Sequence, residues 1–365
     1  MSNPRRYPGE WLHLDLTLLA WVFALCALGL CTLYSAADNS VAVVIKQGVR
    51  IGIGLVAMVA IAQVSPARWA AWAPLLYSVG VLLLVLVELF GTGRGAQRWL
   101  AFGGLRFQPS EIMKLAVPLM VAAQIAHQPL PPSLRQIGLC ALVILVPCGL
   151  IANQPDLGTS LLVGASGLFV LFVAGMSWRL LGGLGLLGLV SAPLAWMFLH
   201  DYQRQRVLTL FDPQSDPLGA GYHIIQSTIA VGSGGLLGKG WLNGTQSHLE
   251  FIPERATDFI FAVFCEEFGF LGVLLLLAGY AGIIVRGLII ADEAQSVFGK
   301  LLATSLTLTF FIYIFVNMSM VIGQLPVVGV PLPLVSYGGT SLVTLMAAFG
   351  MLMSVRTHRR LISDL

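Results

Sequence analysis

The feature that most limits what this chain can fold into is a succession of apolar runs, each close to the length of a bilayer-crossing helix. A spanning helix needs about 20 consecutive apolar residues. Within lipid each segment must also satisfy its own backbone polar groups, which helices do. Such runs fall near 15–36, 44–64, 71–90, 110–127, 136–152, 158–175, 179–199, 259–285, 301–323 and 339–355, with 110–127 and 136–152 among the short ones. The expectation is an all-α polytopic integral membrane protein with about ten transmembrane helices. It forms one domain over residues 1–365, with one large extracytoplasmic loop, about 200–257, between helices 7 and 8. Composition agrees: 57% of residues are hydrophobic and mean hydropathy is +0.86, too apolar for a soluble domain of this length. A net charge of only +3 implies no nucleic-acid footprint.

The run Leu16 to Tyr34 is read as the first span, because the apolar core of a cleaved signal is shorter. An even number of spans puts both termini on one side. Arg5, Arg6, Arg356, His358, Arg359 and Arg360 assign that side to the cytoplasm. The opposite side breaks the expected charge bias, since Arg94, Arg98 and Arg106 share the connection 91–110. These arginines either anchor at headgroups or build an anion site, for which guanidinium forks are suited.

Acids are scarce and unevenly placed. The stretch EFIPERATDFIFAVFCEEFGFLG, 250–272, carries Glu250, Glu254, Asp258, Glu266 and Glu267 together with Arg255. Asp258 falls at a membrane–water boundary and the Glu266–Glu267 pair about two helical turns deeper. Acids at such depth are costly unless paired or wetted, so the cluster marks a functional site or a structural ion network. Glu111 and Lys114 lie three apart at a helix start and can pair, with 91–110 reading as an amphipathic interfacial piece leading into them. Asp156 fits a helix cap. The apolar part of the large loop, 224–231, is expected to dip into the membrane surface. The Pro- and Gly-rich segment 324–338 is expected to line protein or a cavity.

Several motifs fail on inspection. Gly232 to Gly240, GSGGLLGKG, does not satisfy the phosphate-loop pattern. No G-x-S-x-G elbow exists, and Asn243-Gly244-Thr245 is a common chance match to a glycosylation acceptor. Cys26, Cys31, Cys140, Cys148 and Cys265 all sit in apolar runs without a C-x-x-C, and the six histidines show no ligand spacing. No metal site is expected. What remains is one boundary acid, outward arginines and a Glu/Lys pair. That set supports transfer at an anionic, lipid-linked substrate: arginines neutralise a diphosphate leaving group while one carboxylate deprotonates an attacking hydroxyl. A transporter would hold its cargo with the same arginines and would need no base.

The segments GWLNGTQSHLEFIPERATDFIFAVFCEEFGFLG, PLPLVSYGGTSL, RWLAFGGLRFQPSEIMKLA, NQPDLGTS and RVLTLFDP with GYHIIQSTIAVGSGG, running from about Lys46 to the C-terminus, strongly resemble the shape, elongation, division and sporulation (SEDS) family. The resemblance is to its elongation branch rather than its division branch. It implies a peptidoglycan glycosyltransferase that polymerises lipid II, the undecaprenyl-diphosphate disaccharide-pentapeptide, at the outer face of the bacterial inner membrane. It also implies a class B penicillin-binding protein as transpeptidase partner, other elongation-complex proteins, and ten membrane helices. It requires no cofactor and leaves a divalent cation open. A lipid II flippase and a non-enzymatic scaffold for the transpeptidase are the alternatives.

By position, the family's essential aspartate falls on Asp258, after Thr257. Its S-E-x-x-K pairing falls on Ser110, Glu111 and Lys114, following Gln108 and Pro109. Its arginine before an aromatic falls on Arg98, its loop arginine before the D-P turn on Arg206, and its S-Y-G-G motif on Ser336 to Gly339. Asp258 is then the general base, its ionised form favoured by Arg255 nearby, while Arg98 and Arg206 stabilise the departing diphosphate. One departure is Ala256, where many relatives carry a histidine.

Overall fold

The computed structural model describes residues 12–92, 98–102, 105–199, 201–216, 219–245 and 254–358. Arg5, Arg6, Arg94, Glu250, Arg359 and Arg360 lie outside the described residues, as does the side chain of Arg106. Every expected apolar run is a helix: α1 Leu16–Ala36, α2 Val41–Ala62, α3 Pro66–Phe90, α4 Pro109–Ala126, α5 Leu134–Asn153, α6 Leu157–Val173 and α7 Trp178–Phe198 come first. Two helices of the large loop follow, α8 Asp201–Phe211 and α9 Ala220–Ser233, then α10 Ile260–Asp292, α11 Val297–Val321 and α12 Thr340–Thr357. Seven of them (α1, α2, α3, α5, α10, α11 and α12) are long and apolar enough to cross a membrane, and α6 and most of α7 are shorter apolar helices. The protein is a polytopic all-α membrane protein.

Local chemistry sets the boundaries. The Asp15 carboxylate accepts from Leu18 N at 2.8 Å and opens α1. Ser133 and Gln136 form a capping box on α5, and proline at the first turn starts α3 and α4. The connection 91–110, expected as an amphipathic interfacial piece, instead holds a small antiparallel hairpin, β1 Leu100–Phe102 with β2 Leu105–Phe107. Alternating Leu, Phe and Arg suits a pleated ribbon better than a helix face. The apolar part of the large loop is most of α9, fastened to the bundle by the Ser227 hydroxyl donating to the Val321 carbonyl at 2.8 Å.

Helices α1 and α10 run antiparallel and mark the two ends of the bundle. At one end Asp15 binds Arg286 at 2.6 and 3.0 Å and lies 3.7 Å from Arg356. Beside them the rings of His13 and His358 stack at 4.1 Å. At the other end the Ser35 hydroxyl donates to Glu267. Both described chain ends therefore share one end of the molecule, and Asp258 sits at the opposite end.

Helix α10 breaks at Gly269 (φ 61°, ψ −165°). The groups freed by the break are taken up by the loop: Lys239 N donates to Glu266 O and Gly240 N to Glu267 O, both at 3.0 Å, while Phe270 N donates to Gly235 O at 2.9 Å. A Cβ at Gly269 would lie 2.2 Å from Gly238 N, and one at Gly238 2.1 Å from Glu267 O. Within GSGGLLGKG, Gly234 and Gly238 are the glycines that let two backbones touch, a Cβ on Gly234 lying 2.0 Å from Cys265 O. The deep acids belong to the same clasp. Glu266 is fully buried and its carboxylate accepts from Lys239 Nζ at 2.7 Å and from Thr245 N at 2.8 Å. Of the pair, Glu266 is ion-paired with Lys239, while Glu267 accepts from the Ser35 hydroxyl.

The segment 324–339 turns back into the bundle. The Tyr280 hydroxyl, buried on α10, donates to Pro333 O at 2.7 Å. A Cβ on Gly29 of α1 would meet Leu334 O at 2.7 Å. Non-helical backbone at this depth is tolerated because protein surrounds it.

Candidate functional site

The site is built on the turn that precedes α10. Glu254, at φ 52°, accepts at its carbonyl from Thr257 N at 3.0 Å and Phe259 N at 3.3 Å. The Thr257 hydroxyl donates to the Glu254 carboxylate at 2.8 Å. The re-entrant segment then clamps the turn from within. Asn317, fully buried on α11, donates through Nδ2 to Asp258 O at 2.8 Å and to Val330 O at 2.7 Å. The Ser336 hydroxyl donates to Thr257 O at 2.6 Å and accepts from Leu332 N at 2.7 Å. Tyr337 N donates to Ala256 O at 2.9 Å. Each carbonyl from Ala256 to Asp258 is thus held by a different residue, which fixes where the Asp258 side chain starts.

The electrostatics correct one expectation. Burial, reinforced by the Glu254 carboxylate, pushes the Asp258 carboxyl up to about 6, and Arg206 pulls it the other way. Arg255 forms an ion pair with Asp38. The cation acting on Asp258 is therefore Arg206 and not Arg255.

A second polar group lies across the re-entrant segment. Lys114 Nζ binds Glu111 at 2.6 Å and sits 4.9 Å from the centre of the Tyr313 ring. Gln108 Nε2 reaches Asp156 at 3.4 Å. Asp156 also caps α6 through Thr159 N at 3.2 Å. Arg98 lies 3.7 Å from Asp156 and donates to Gln154 O at 3.2 Å and to Pro155 O. Its guanidinium fastens the hairpin region to the α5–α6 turn. Ser110 is buried, and no hydrogen-bond partner reaches its hydroxyl or the second oxygen of Glu111 among the described residues. A cavity opens between α4, α11, α12 and the re-entrant segment, with Glu111, Lys114, Tyr313 and Ser336 among its lining. Asp258 is not part of that lining. Ser336 is the shared residue, facing the cavity while its hydroxyl holds the turn that carries Asp258.

The structure therefore brings Thr257, Asp258 and Ser336 together, with Arg206 felt electrostatically. It brings Gln108, Ser110, Glu111, Lys114 and Arg98 together in the second group. Among the described residues no set of three or more His, Cys, Asp or Glu side chains gathers to hold a metal. Sequence reasoning passed over Asn317, Tyr313 and Gln47, whose amide donates to Ser336 O at 3.2 Å. Polar side chains inside apolar runs were the available signal.

A profile of the FtsW/RodA/SpoVE family, described as cell cycle protein, matches residues 11–361. The chain belongs to this family. Among FtsW/RodA/SpoVE relatives, it is 56% identical over 353 residues to the peptidoglycan glycosyltransferase MrdB of Escherichia coli K12, covering 96% of this chain and 95% of that one. With the MrdB of Helicobacter pylori 26695 it shares 37% over 356 residues, 96% of this chain and 91% of the relative. Two solved structures share the fold. One is a chain from work on the structural coordination of polymerization and crosslinking by a peptidoglycan synthase complex, with TM-score 0.83, 37% identity, and 95% and 98% of the two chains covered. The other is the rod shape determining protein RodA of Thermus thermophilus, with TM-score 0.72, 31% identity, and 95% and 97% covered. The two polar groups described above thus belong to a RodA-like member of the family.

Proposed function

We propose that this chain is a peptidoglycan glycosyltransferase that polymerises lipid II into glycan strands during cell elongation and shape maintenance, with Asp258 as its general base. The observation that carries the assignment is the clamp on 256–258, which presents one carboxylate of raised basicity at the end of the bundle opposite the described chain ends. A base is most effective when its pKa lies near the working pH, and about 6 is close to it. Asp258 takes the proton of the acceptor 4-hydroxyl as that oxygen attacks the donor's anomeric carbon. The bond to the lipid diphosphate breaks with inversion, and the leaving charge is met by Arg206. Thr257 and Ser336 hold the base in place. Arg98, with Gln108 and Asp156, secures the hairpin region against the α5–α6 turn, and Ser110, Glu111 and Lys114 offer polar contacts to substrate from the second group. We assign the divalent cation that the sequence leaves open to the substrate's diphosphate.

The protein is placed by this reading in the bacterial inner membrane, with both termini cytoplasmic and the site periplasmic. Its partner is a class B penicillin-binding protein, in keeping with the synthase complex to which the fold is similar. Purified Asp258→Asn, assayed with lipid II, is expected to lose about a hundredfold or more of polymerisation while keeping the wild-type elution profile. A folded variant that still makes long glycan removes Asp258 from the role of base.

A further inference from the structure

Two cations on α2 have no part in the mechanism above. Lys46 and Arg50 stand four residues apart, so both face the same side of that helix. Arg50 lies about 14 Å along the axis from Val41 and is half-buried, while Lys46, one turn nearer the start of the helix, is exposed. Neither has a carboxylate or a hydrogen-bond acceptor among the described residues. Asp38, the acid on the connection that leads into α2, is taken by Arg255. Arg50 makes its contact through its face: the guanidinium rests on the Tyr337 ring, 4.2 Å from the centre. That leaves the donors along its edge unspent.

Three features make this arrangement unfavourable as it stands. Like charges one turn apart on a helix repel. A cation within a membrane segment is costly unless it is paired or wetted. The third is the start of α12. Its N-cap is Gly339, with no side chain capping the first turn, and a Cβ on Gly339 would lie 3.7 Å from Arg50 Nε. The positive end of a helix dipole is a poor neighbour for a guanidinium. An anion between the guanidinium edge and the first backbone N–H groups of α12 relieves all three, and a phosphate has oxygens for both. Ile45, Val49 and Ile53 leave the adjoining face of α2 exposed and apolar, so a lipid carrying that phosphate approaches from the side. We propose that Arg50, Lys46 and the first turn of α12 form a binding site for the phosphate or diphosphate of a membrane lipid. The carrier is either the lipid-linked substrate or a phospholipid. The site flanks the turn that holds Asp258, because Tyr337 N donates to Ala256 O at 2.9 Å.

The test uses the full-length protein purified in detergent. Undecaprenyl diphosphate, undecaprenol and phosphatidylglycerol are titrated separately, and bound lipid is counted by native mass spectrometry. Arg50→Gln should weaken binding of undecaprenyl diphosphate about tenfold, as expected for losing a charge-assisted hydrogen bond, and leave undecaprenol unchanged. Lys46→Gln, at an exposed position that does not endanger the fold, should weaken it about threefold. Arg50→Lys keeps the charge without the planar fork and should fall between Arg50→Gln and wild type. A loss confined to undecaprenyl diphosphate assigns the site to the lipid-linked substrate. A loss for phosphatidylglycerol, alone or of equal size, assigns it to a phospholipid headgroup. Unchanged binding of both phosphate-bearing lipids in Arg50→Gln and Lys46→Gln overturns the proposal. An equal loss for undecaprenol also overturns it, because tail packing would then be what changed. Binding is measured without turnover, so failure of Asp258 as the base shows only in the polymerisation assay, and failure of the phosphate site only here.

Discussion

A carboxylate acts as a base only while ionised, and Asp258 is held where ionisation is difficult. Desolvation and the neighbouring Glu254 raise its pKa from 3.8 to about 6 against the pull of Arg206. Two consequences of opposite character follow. In kcat/KM for polymerisation, the acid limb should bend at about pH 6, and activity should fall roughly tenfold per pH unit below it. An acid limb near 4 in wild-type protein would contradict the assigned environment. In stability, the sign reverses. Between 3.8 and about 6 the folded protein still holds a proton that the unfolded chain has released, so this residue's contribution falls as pH rises through that window. Asp258→Asn should therefore melt higher than wild type at neutral pH, with the two melting curves converging below about pH 4. A site that is less stable with its base than without it is what stored electrostatic strain for catalysis looks like.

At the scale of elements, the breaks in regular structure matter more than the helices. Gly269 occupies a backbone region open essentially to glycine alone, and a Cβ there would meet the backbone of Leu236, Leu237 and Gly238 within 2.8 Å. Gly269→Ala should cost about 2–4 kcal/mol, from backbone strain and overpacking together, seen as a lower melting temperature in detergent and faster proteolysis within 234–245. An Ala variant that melts with wild type would mean the clasp contributes little. The ten apolar runs were legible because burial in lipid writes itself as uninterrupted hydropathy, and the Glu111–Lys114 pair because it is local, three residues apart on one helix. The clasp was not, since what makes GSGGLLGKG specific is contact with a helix far along the chain, and backbone contacts leave no side-chain signature beyond glycine. The same limit hid Asn317. Its partners are the carbonyls of Asp258 and Val330, groups every residue carries. The cation beside Asp258 was misplaced for a related reason: adjacency in sequence favoured Arg255, whereas the fold sends Arg255 to Asp38 and lets Arg206 act across the loop.

For the whole molecule, the bundle is polar along its axis. One end gathers Asp15, Arg286, Arg356 and the stacked His13 and His358, and the other gathers the large loop and the Asp258 turn. The proposed function requires one orientation in the membrane, in which the lipid-linked sugar reaches the Asp258 end from outside. Basic residues at the first end agree with a cytoplasmic placement. This can be measured directly in a protein whose exposed Cys31 has been replaced by serine. Gln214, exposed in the large loop, and Asp292, exposed at the end of α10, are each changed to cysteine and treated with a membrane-impermeant maleimide. Gln214→Cys should label in intact spheroplasts, and Asp292→Cys only after lysis. Labelling in the reverse order would put Asp258 in the cytoplasm. There no glycan strand is waiting, and the proposed reaction could not occur at that carboxylate, whatever its pKa.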